Sequence, residues 1–307
     1  MDEFLVKVEK TLGYHWQSLL RATRGLYWDA IRTPAERPVF IVGCSRAGTT
    51  LVYKTFSESA ELGSLQRETH DFWAELHPLS ESGWSSHELN SEDASTSDRD
   101  IVTRYFFSAT GKRRFVDKNN QNGLCVSYLQ ALFPDACFVY VKRSPGDNIN
   151  SLMEGWRRPE EFATWSGDLP AEIAIDNGDI TRWSFFLPAG WRDYANATLE
   201  DVCAFQYFSM NDALLNVRDQ IAPGQWTEVC YEDLLDDPGS IFQEAFERCG
   251  LEFTEIIEAH CNSVLTRPYN AFSEIRKDKW RDSRNRERIE RVIPKVQDIA
   301  IRMGYRG

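Results

Sequence analysis

Hydrophobic positions along the chain follow two alternating rhythms. Short runs rich in β-branched and aromatic residues occur at 39–42, 114–117, 137–141 and 226–230, with a briefer one at 62–65. Each has the length and composition of a buried strand. Between them apolar residues return every three or four positions, predicting helices over 48–59, 72–76, 99–109, 124–133, 145–155 and 198–220, with further helices to the end. Strands alternating with helices indicate a parallel sheet covered on both faces. The fold class is therefore α/β, a single domain with a central parallel sheet of about five strands flanked by helices. Ahead of the first strand, Leu5, Val8, Leu12, Trp16, Leu19 and Leu20 recur at helical spacing and predict an amphipathic leader helix or helix pair. Basic residues are not concentrated there, so packing on the body fits better than lying on a membrane surface. Pro34 and Pro38 interrupt the chain before the first strand. The organisation expected is a leader, residues 1–37, and a main domain, 38–307, with irregular segments at about 78–98 and 156–196.

Composition narrows the function. The 307 residues carry 35 Lys+Arg against 47 Asp+Glu, a formal net charge of -12. Proteins that track polyanions rely on a basic surface, so nucleic acid is not an expected partner. A small anionic ligand needs only a few placed cations and is not excluded. No apolar run is long enough to cross a bilayer, so no integral membrane segment is expected. The acidic start, Met-Asp-Glu-Phe, does not read as an export signal. Seven cysteines are scattered without a C-x-x-C pair, at 44, 125, 137, 203, 230, 249 and 261. They are expected to be buried free thiols of a cytoplasmic protein, with no metal site. The sequence leaves the oligomeric state open.

The first strand runs into Gly43-Cys-Ser-Arg46-Ala47-Gly48-Thr49-Thr50 and then a helix. The G-x-x-x-x-G spacing is that of a phosphate-binding loop, in which glycines allow the tight turn and inward amides join the positive helix end. The usual Lys is replaced by Thr49, leaving Arg46 as the loop's cation. That loss weakens an ATPase, GTPase or kinase reading, because the Lys normally reaches the outer phosphates. A serine hydrolase is a second rival, since the loop is one residue short of a nucleophile elbow. It would need a late His, and only His260 lies beyond residue 87.

The strand at 137–141 leads into Lys142-Arg143-Ser-Pro145, with Ser151 two turns into the next helix. Arg143 would lie at the carboxyl end of its strand, where open α/β sheets bind ligands. An Arg beside a hydroxyl forms a natural phosphate clamp.

Taken together, these two motifs resemble those of the sulfotransferases that use 3′-phosphoadenosine 5′-phosphosulfate (PAPS). Their 5′-phosphosulfate loop is similar to residues 43–51, and their 3′-phosphate motif to Arg143, Pro145 and Ser151. Phe115-Val-Asp117-Lys118-Asn-Asn120-Gln-Asn122 resembles their D/E-K-x-P-x-N segment, with Asn120 where Pro is usual. Phe133-Pro-Asp-Ala136 and Tyr231-Glu-Asp-Leu234 also look like family segments. The likeness covers roughly residues 38–305 and is nearest the Golgi-like and bacterial branch.

The resemblance implies a P-loop-like sulfotransferase fold, a transferase that turns PAPS into the bisphosphate PAP, and no metal. Arg46, Ala47, Gly48, Thr49 and Thr50 would hold the 5′-phosphosulfate, while Arg143 and Ser151 would hold the 3′-phosphate. Tyr231 joins the cofactor-binding set, and Lys118 matches the lysine that stabilises the transferring group. Within Gln66-Arg67-Glu68-Thr69-His70, Glu68 stands where the branch has its general base; His70 is the rival. The basic stretch 276–284 is either a solvated helix face or a flap that sets Lys279 or Arg276 near a phosphate. Six tryptophans, at 73, 84, 156, 165, 183 and 191, and the pair Arg157 and Arg158 lie where they could meet the acceptor or simply serve structure. The expected acceptor is a hydroxyl on a carbohydrate-like or small-metabolite molecule; peptide, glycolipid and natural-product hydroxyls stay open.

Overall fold

The computed structural model describes residues 2–265 and 275–305, with the side chains of the first helix from Trp16 onward. Its elements run in the predicted alternation. Helix α1 (Asp2–Ile31) precedes β1 (Val39–Val42), α2 (Thr49–Phe56), α3 (His70–Leu76), α4 (Thr96–Thr110) and β2 (Val116–Lys118). Next come α5 (Val126–Leu132), β3 (Cys137–Lys142), α6 (Pro145–Trp156), α7 (Pro159–Phe162), α8 (Leu199–Arg218) and β4 (Trp226–Cys230). Helices α9 (Tyr231–Asp236), α10 (Pro238–Arg248), α11 (Glu255–Val264), α12 (Arg286–Val292) and α13 (Gln297–Arg302) follow.

The strands form one all-parallel sheet in the order β2-β1-β3-β4. It has four strands among the described residues, not the expected five. Residues 62–65 make only an isolated parallel bridge, Gly63 to Phe115, because the chain bends away directly after it: Ser64 Oγ accepts the Gln66 N–H at 3.1 Å and Gln66 takes φ 57. β1 and β3 are buried on both faces, which is why they read as unbroken apolar runs rather than alternating ones. Phe40, Phe115, Phe133 and Phe138 stack beneath the sheet, and Trp156, Trp183 and Trp191 form a second, fully buried aromatic cluster. The seven cysteines are free and all buried except Cys230.

The leader is a single helix whose contact face differs from the apolar stripe. Arg24 donates to the Ala109 carbonyl at 3.2 Å, Trp28 is buried, and Asp29 pairs bidentately with Arg104 at 2.8 Å, fixing α1 on α4. Trp16 and Leu19, expected to pack, are 62% and 56% exposed, as the polar edge bearing Arg24 and Asp29 makes the contact instead. The side chains of Leu5, Val8 and Leu12 lie outside the described residues. Among the described residues, no helix is long and apolar enough to cross a membrane.

In this strand order the chain leaves β1 toward β2 on one side and returns to β3 on the other. The carboxyl ends of β1 and β3 therefore form a topological switch point, where open α/β sheets present a crevice.

Candidate active site

Both phosphate-type motifs open into that crevice. It is a cavity of about 820 Å³ lined by Arg46, Gly48, Thr49, Thr50, Glu68, His70, Lys118, Arg143, Ser151, Tyr231 and Lys279. Of the site residues predicted from sequence, only Ala47 is absent from the wall: it is buried beneath the loop at 1% exposure.

The loop's shape follows from its residues. Gly48, with φ 106, caps α2 in the left-handed region, and a Cβ there would run into the Tyr231 ring. Arg46 itself takes φ 68, an uncommon setting for a side-chain-bearing residue. The surroundings hold it there. The Arg46 carbonyl accepts from Arg143 Nη1 at 2.9 Å, and the Ser45 carbonyl accepts from Asn148 Nδ2 at 2.9 Å. Leu51 and Val52 N–H close onto the Gly48 carbonyl at 3.0 and 3.3 Å, so the amides of Thr49 and Thr50, both on the cavity wall, are the ones an anion at this helix start would meet.

The two motifs, far apart in sequence, also meet through side chains. Arg46 Nε donates to Ser151 Oγ at 3.4 Å, and the Arg143 guanidinium lies 4.3 Å from the centre of the Tyr231 ring. Arg143 is 5% exposed, and its buried Nε has no hydrogen-bond partner among the described residues. Burial and then Arg143 pull Arg46 down to about 10, and the same causes lower Lys279 to about 8. Three cations thus crowd one end of the cavity at a cost in mutual repulsion, which an anion would relieve.

The basic stretch 276–284 settles as a docked segment. Asp147, near the start of α6, accepts the backbone N–H of Asp278 at 2.7 Å and of Trp280 at 3.1 Å. Trp280 packs on Gly146 so closely that any Cβ would overlap its ring. This docking aims Lys279 into the cavity, while Arg276 pairs with Asp282 at 2.8 Å outside its wall.

Beside the loop, Lys118 Nζ donates to Glu68 Oε1 at 2.6 Å and to Asn120 Oδ1 at 3.0 Å. Asn120, standing where the family pattern has Pro, thereby anchors the lysine. Thr50 Oγ1 donates to Glu68 Oε1 at 3.3 Å, and His70 Nε2 lies 2.6 Å from Glu68 Oε2. Burial alone would raise the Glu68 pKa, but Lys118 and His70 outweigh it and hold the carboxyl well below its ordinary range. Asp117, buried at 1%, accepts from Thr69 Oγ1 (2.6 Å), Trp73 Nε1 (3.0 Å) and Asn122 Nδ2 (2.9 Å), pinning the 68–73 segment to β2. In the sequence, the only signal that points to Asp117 is its neighbour Lys118 in the D/E-K-x-P-x-N-like segment.

Other candidates fall away from the cavity. Arg157 bonds Glu154 and Asn285, and Arg158 pairs with Glu161, both outside the wall. His260 sits on α11, also off the wall, so the loop has no hydrolase partner there. Of the six tryptophans, Trp84 and Trp165 line the cavity, and the other four are buried. Among the described residues no cluster of three or more His, Cys, Asp or Glu is placed to hold a metal.

A glycine-cornered anion loop at the switch point of a parallel sheet defines an α/β protein of P-loop-like architecture. More particularly, residues 38–184 match the family model described as Sulfotransferase family. Among solved structures, the sulfotransferase domain from the curacin biosynthetic pathway is similar in fold. Its TM-score is 0.50 at 14% identity, over 89% of this chain and 99% of that one. Sulfotransferase STF1 from Mycobacterium tuberculosis gives 0.49 at 15% identity, covering 80% and 76%. A mouse sulfotransferase complexed with PAP gives 0.46 at 14% identity, covering 93% and 92%. No curated protein matches the sequence.

Proposed function

We propose that the cavity binds PAPS and moves its sulfuryl group to a hydroxyl of a carbohydrate-like or small-metabolite acceptor. The observation that carries this reading is the pairing of two chemistries in one cavity. Arg46, Arg143 and Lys279 form a cationic cluster suited to a bisphosphorylated nucleotide, and a Glu68–Lys118 pair stands beside the same loop, bonded to Thr50. The residues present fit the donor: crowded cations, the buried Arg143 Nε with no partner among the described residues, and the Thr49 and Thr50 amides at the start of α2 all suit anionic oxygens.

In this reading the 46–50 loop holds the 5′-phosphosulfate, while Arg143 and Ser151 hold the 3′-phosphate. Tyr231 supports Arg143 from beneath, and Lys279 closes the cationic end from the docked 276–284 segment. When bound, the nucleotide supplies an activated sulfuryl group. Arg46 and Lys118 meet the charge that develops beside it, and rigid alignment supplies the rest, as in phosphoryl transfer. Glu68 takes the acceptor's proton. A carboxylate clamped by an ammonium is a weak base, so drawing Lys118 toward the donor's charge frees Glu68 to act. His70, hydrogen-bonded to Glu68, orients that carboxylate and is the alternative base. The leader 1–37 and the segments 78–98 and 156–196 are placed by the same proposal on the support and acceptor sides respectively.

Calorimetry with PAP, and separately with ATP and Mg²⁺, tests the donor assignment. Selective PAP binding is the expected result; tight ATP binding without a response to PAP would overturn it.

A further inference from the structure

The two irregular segments that wall the acceptor side are joined by Glu88, Trp191 and Arg192 and, on the cavity wall, by His87. His87 donates its backbone N–H to the Leu187 carbonyl at 2.8 Å, and its ring Nδ1 accepts the Leu187 N–H at 2.8 Å. A ring nitrogen that accepts a hydrogen bond carries no proton, so the neutral imidazole bears its proton on Nε2. Burial, and then the proximity of His70, lowers the His87 pKa to about 3, leaving the ring uncharged at neutral pH. Trp165 stands edge-to-face against the ring with centroids 5.0 Å apart, and the His87 carbonyl accepts from Cys125 Sγ at 3.1 Å. Ring and backbone are therefore both fixed. Among the described residues the ring's hydrogen bond is made through Nδ1, leaving Nε2 for a ligand, and His87 lines the cavity wall.

The surroundings indicate what this donor would meet. Trp84, Phe162, Trp165 and Phe185 supply aromatic faces, and Glu161 and Asp168 supply negative charge. Among the described residues, no Lys or Arg of segments 78–98 or 156–196 lines the cavity. Glu161 is already paired with Arg158 at 3.2 Å, and the Arg46 guanidinium lies 5.3 Å from the centre of the Phe162 ring, so the aromatic faces are what remains on this side to meet an acceptor.

We propose that His87 is a specificity-determining residue whose Nε2–H, fixed as an uncharged donor, bonds a carbonyl or ether oxygen on the body of an uncharged aromatic acceptor. The inference rests on the sulfuryl-transfer reading of the cavity and narrows its acceptor to the small-metabolite class.

Two near-isosteric variants separate this role from a merely structural clasp. His87→Asn keeps an acceptor for the Leu187 N–H but removes the donor at the Nε2 position; His87→Gln keeps an amide N–H there. The probes are 4-hydroxyacetophenone and 4-ethylphenol, assayed with PAPS on the full chain. Each variant's kcat/KM ratio for the two phenols is compared with the wild-type ratio, which cancels their different acidity. The ratio is expected to fall at least tenfold, through KM, in His87→Asn and to be retained in His87→Gln, with PAP affinity unchanged in both. An unaltered ratio in His87→Asn would overturn the proposal, as would a wild-type protein that binds PAP yet turns over neither phenol. Failure of the wild type to bind PAP would instead sink the reading of the cavity itself. Should His87→Asn not fold, imidazole ¹⁵N spectra of the wild type give a second check. An Nε2–H tautomer unchanged from about pH 5 to 8 is expected, and an Nδ1–H ring or one titrating in that window would count against it.

Discussion

Glu68 and Lys118 sit 2.6 Å apart, joining a loop before α3 to the end of β2, and each restrains the other. Lys118 is 4% exposed, so its ammonium has little water to replace the carboxylate. Glu68 keeps its negative charge because Lys118 and His70 overcome the effect of burial. With its folded pKa depressed, Glu68 contributes stability above the ordinary carboxylate value, and that contribution drains away as pH falls below it.

Glu68→Gln should lower kcat by about 10²–10⁴-fold while leaving PAP affinity nearly intact, as loss of a general base does. His70→Ala should cost less, since it removes an orienting partner. Steady-state kinetics on both variants decide it: full activity in Glu68→Gln would remove Glu68 as the base.

Arg143→Ala should weaken PAP binding by about 2–4 kcal/mol, the usual cost of breaking a desolvated charged hydrogen bond. Ser151→Ala, which removes a neutral hydroxyl, should cost about 0.5–1.5 kcal/mol. Calorimetric titration reads both. Equal losses would mean that Arg143 supports the Arg46 carbonyl without meeting phosphate.

Gly48→Ala forces a Cβ into the Tyr231 ring at a backbone setting of φ 106. It should lower stability by more than the about 1–2 kcal/mol that left-handed backbone costs alone. Adding Tyr231→Ala should recover the steric part and not the backbone part. A double-mutant cycle in denaturant measures the split, and strict additivity would show that ring and loop do not touch.

Lys279 titrates near 8 because burial and Arg143 disfavour its charged form. In the ligand-free protein this charge carries a penalty present in full below that value, which fades as pH rises toward the ordinary lysine value of 10.5. An anion bound beside it reverses the shift, so PAP binding should take up a proton near pH 8–9 and weaken above it. Calorimetry in buffers of differing ionisation enthalpy detects the uptake. Lys279→Arg, which stays charged, should abolish it; persistent uptake in that variant would assign the proton elsewhere.

Much of this arrangement was legible along the chain because its signals are local. A loop bounded by Gly43 and Gly48 follows an apolar strand, and Arg143 stands at the end of another, so both their chemistry and their place at the sheet edge could be read. Residues 62–65 have strand-like composition, but pairing there depends on a distant partner and stops after Gly63. His87 and Asp117 act through contacts that sequence spacing does not show: one with Leu187, the other with Thr69 and Trp73. Arg157 and Arg158 follow a motif helix closely, but the rotation of α6 and α7 turns them off the wall.

The sheet contains no hairpin. Val39 pairs with Val116 on one side and Cys137 on the other, and Phe138 waits for Trp226. Each pairing must close a long loop before it gains anything, and such closures slow folding. On a ribosome, β1 emerges early but finds no neighbour until β2 and β3 follow. The cationic pocket is finished only when Tyr231 and Lys279 have been made. A chain truncated before Tyr231 therefore holds Arg46, Lys118 and Arg143 but neither the ring under Arg143 nor Lys279, and full nucleotide affinity should arise only late in synthesis.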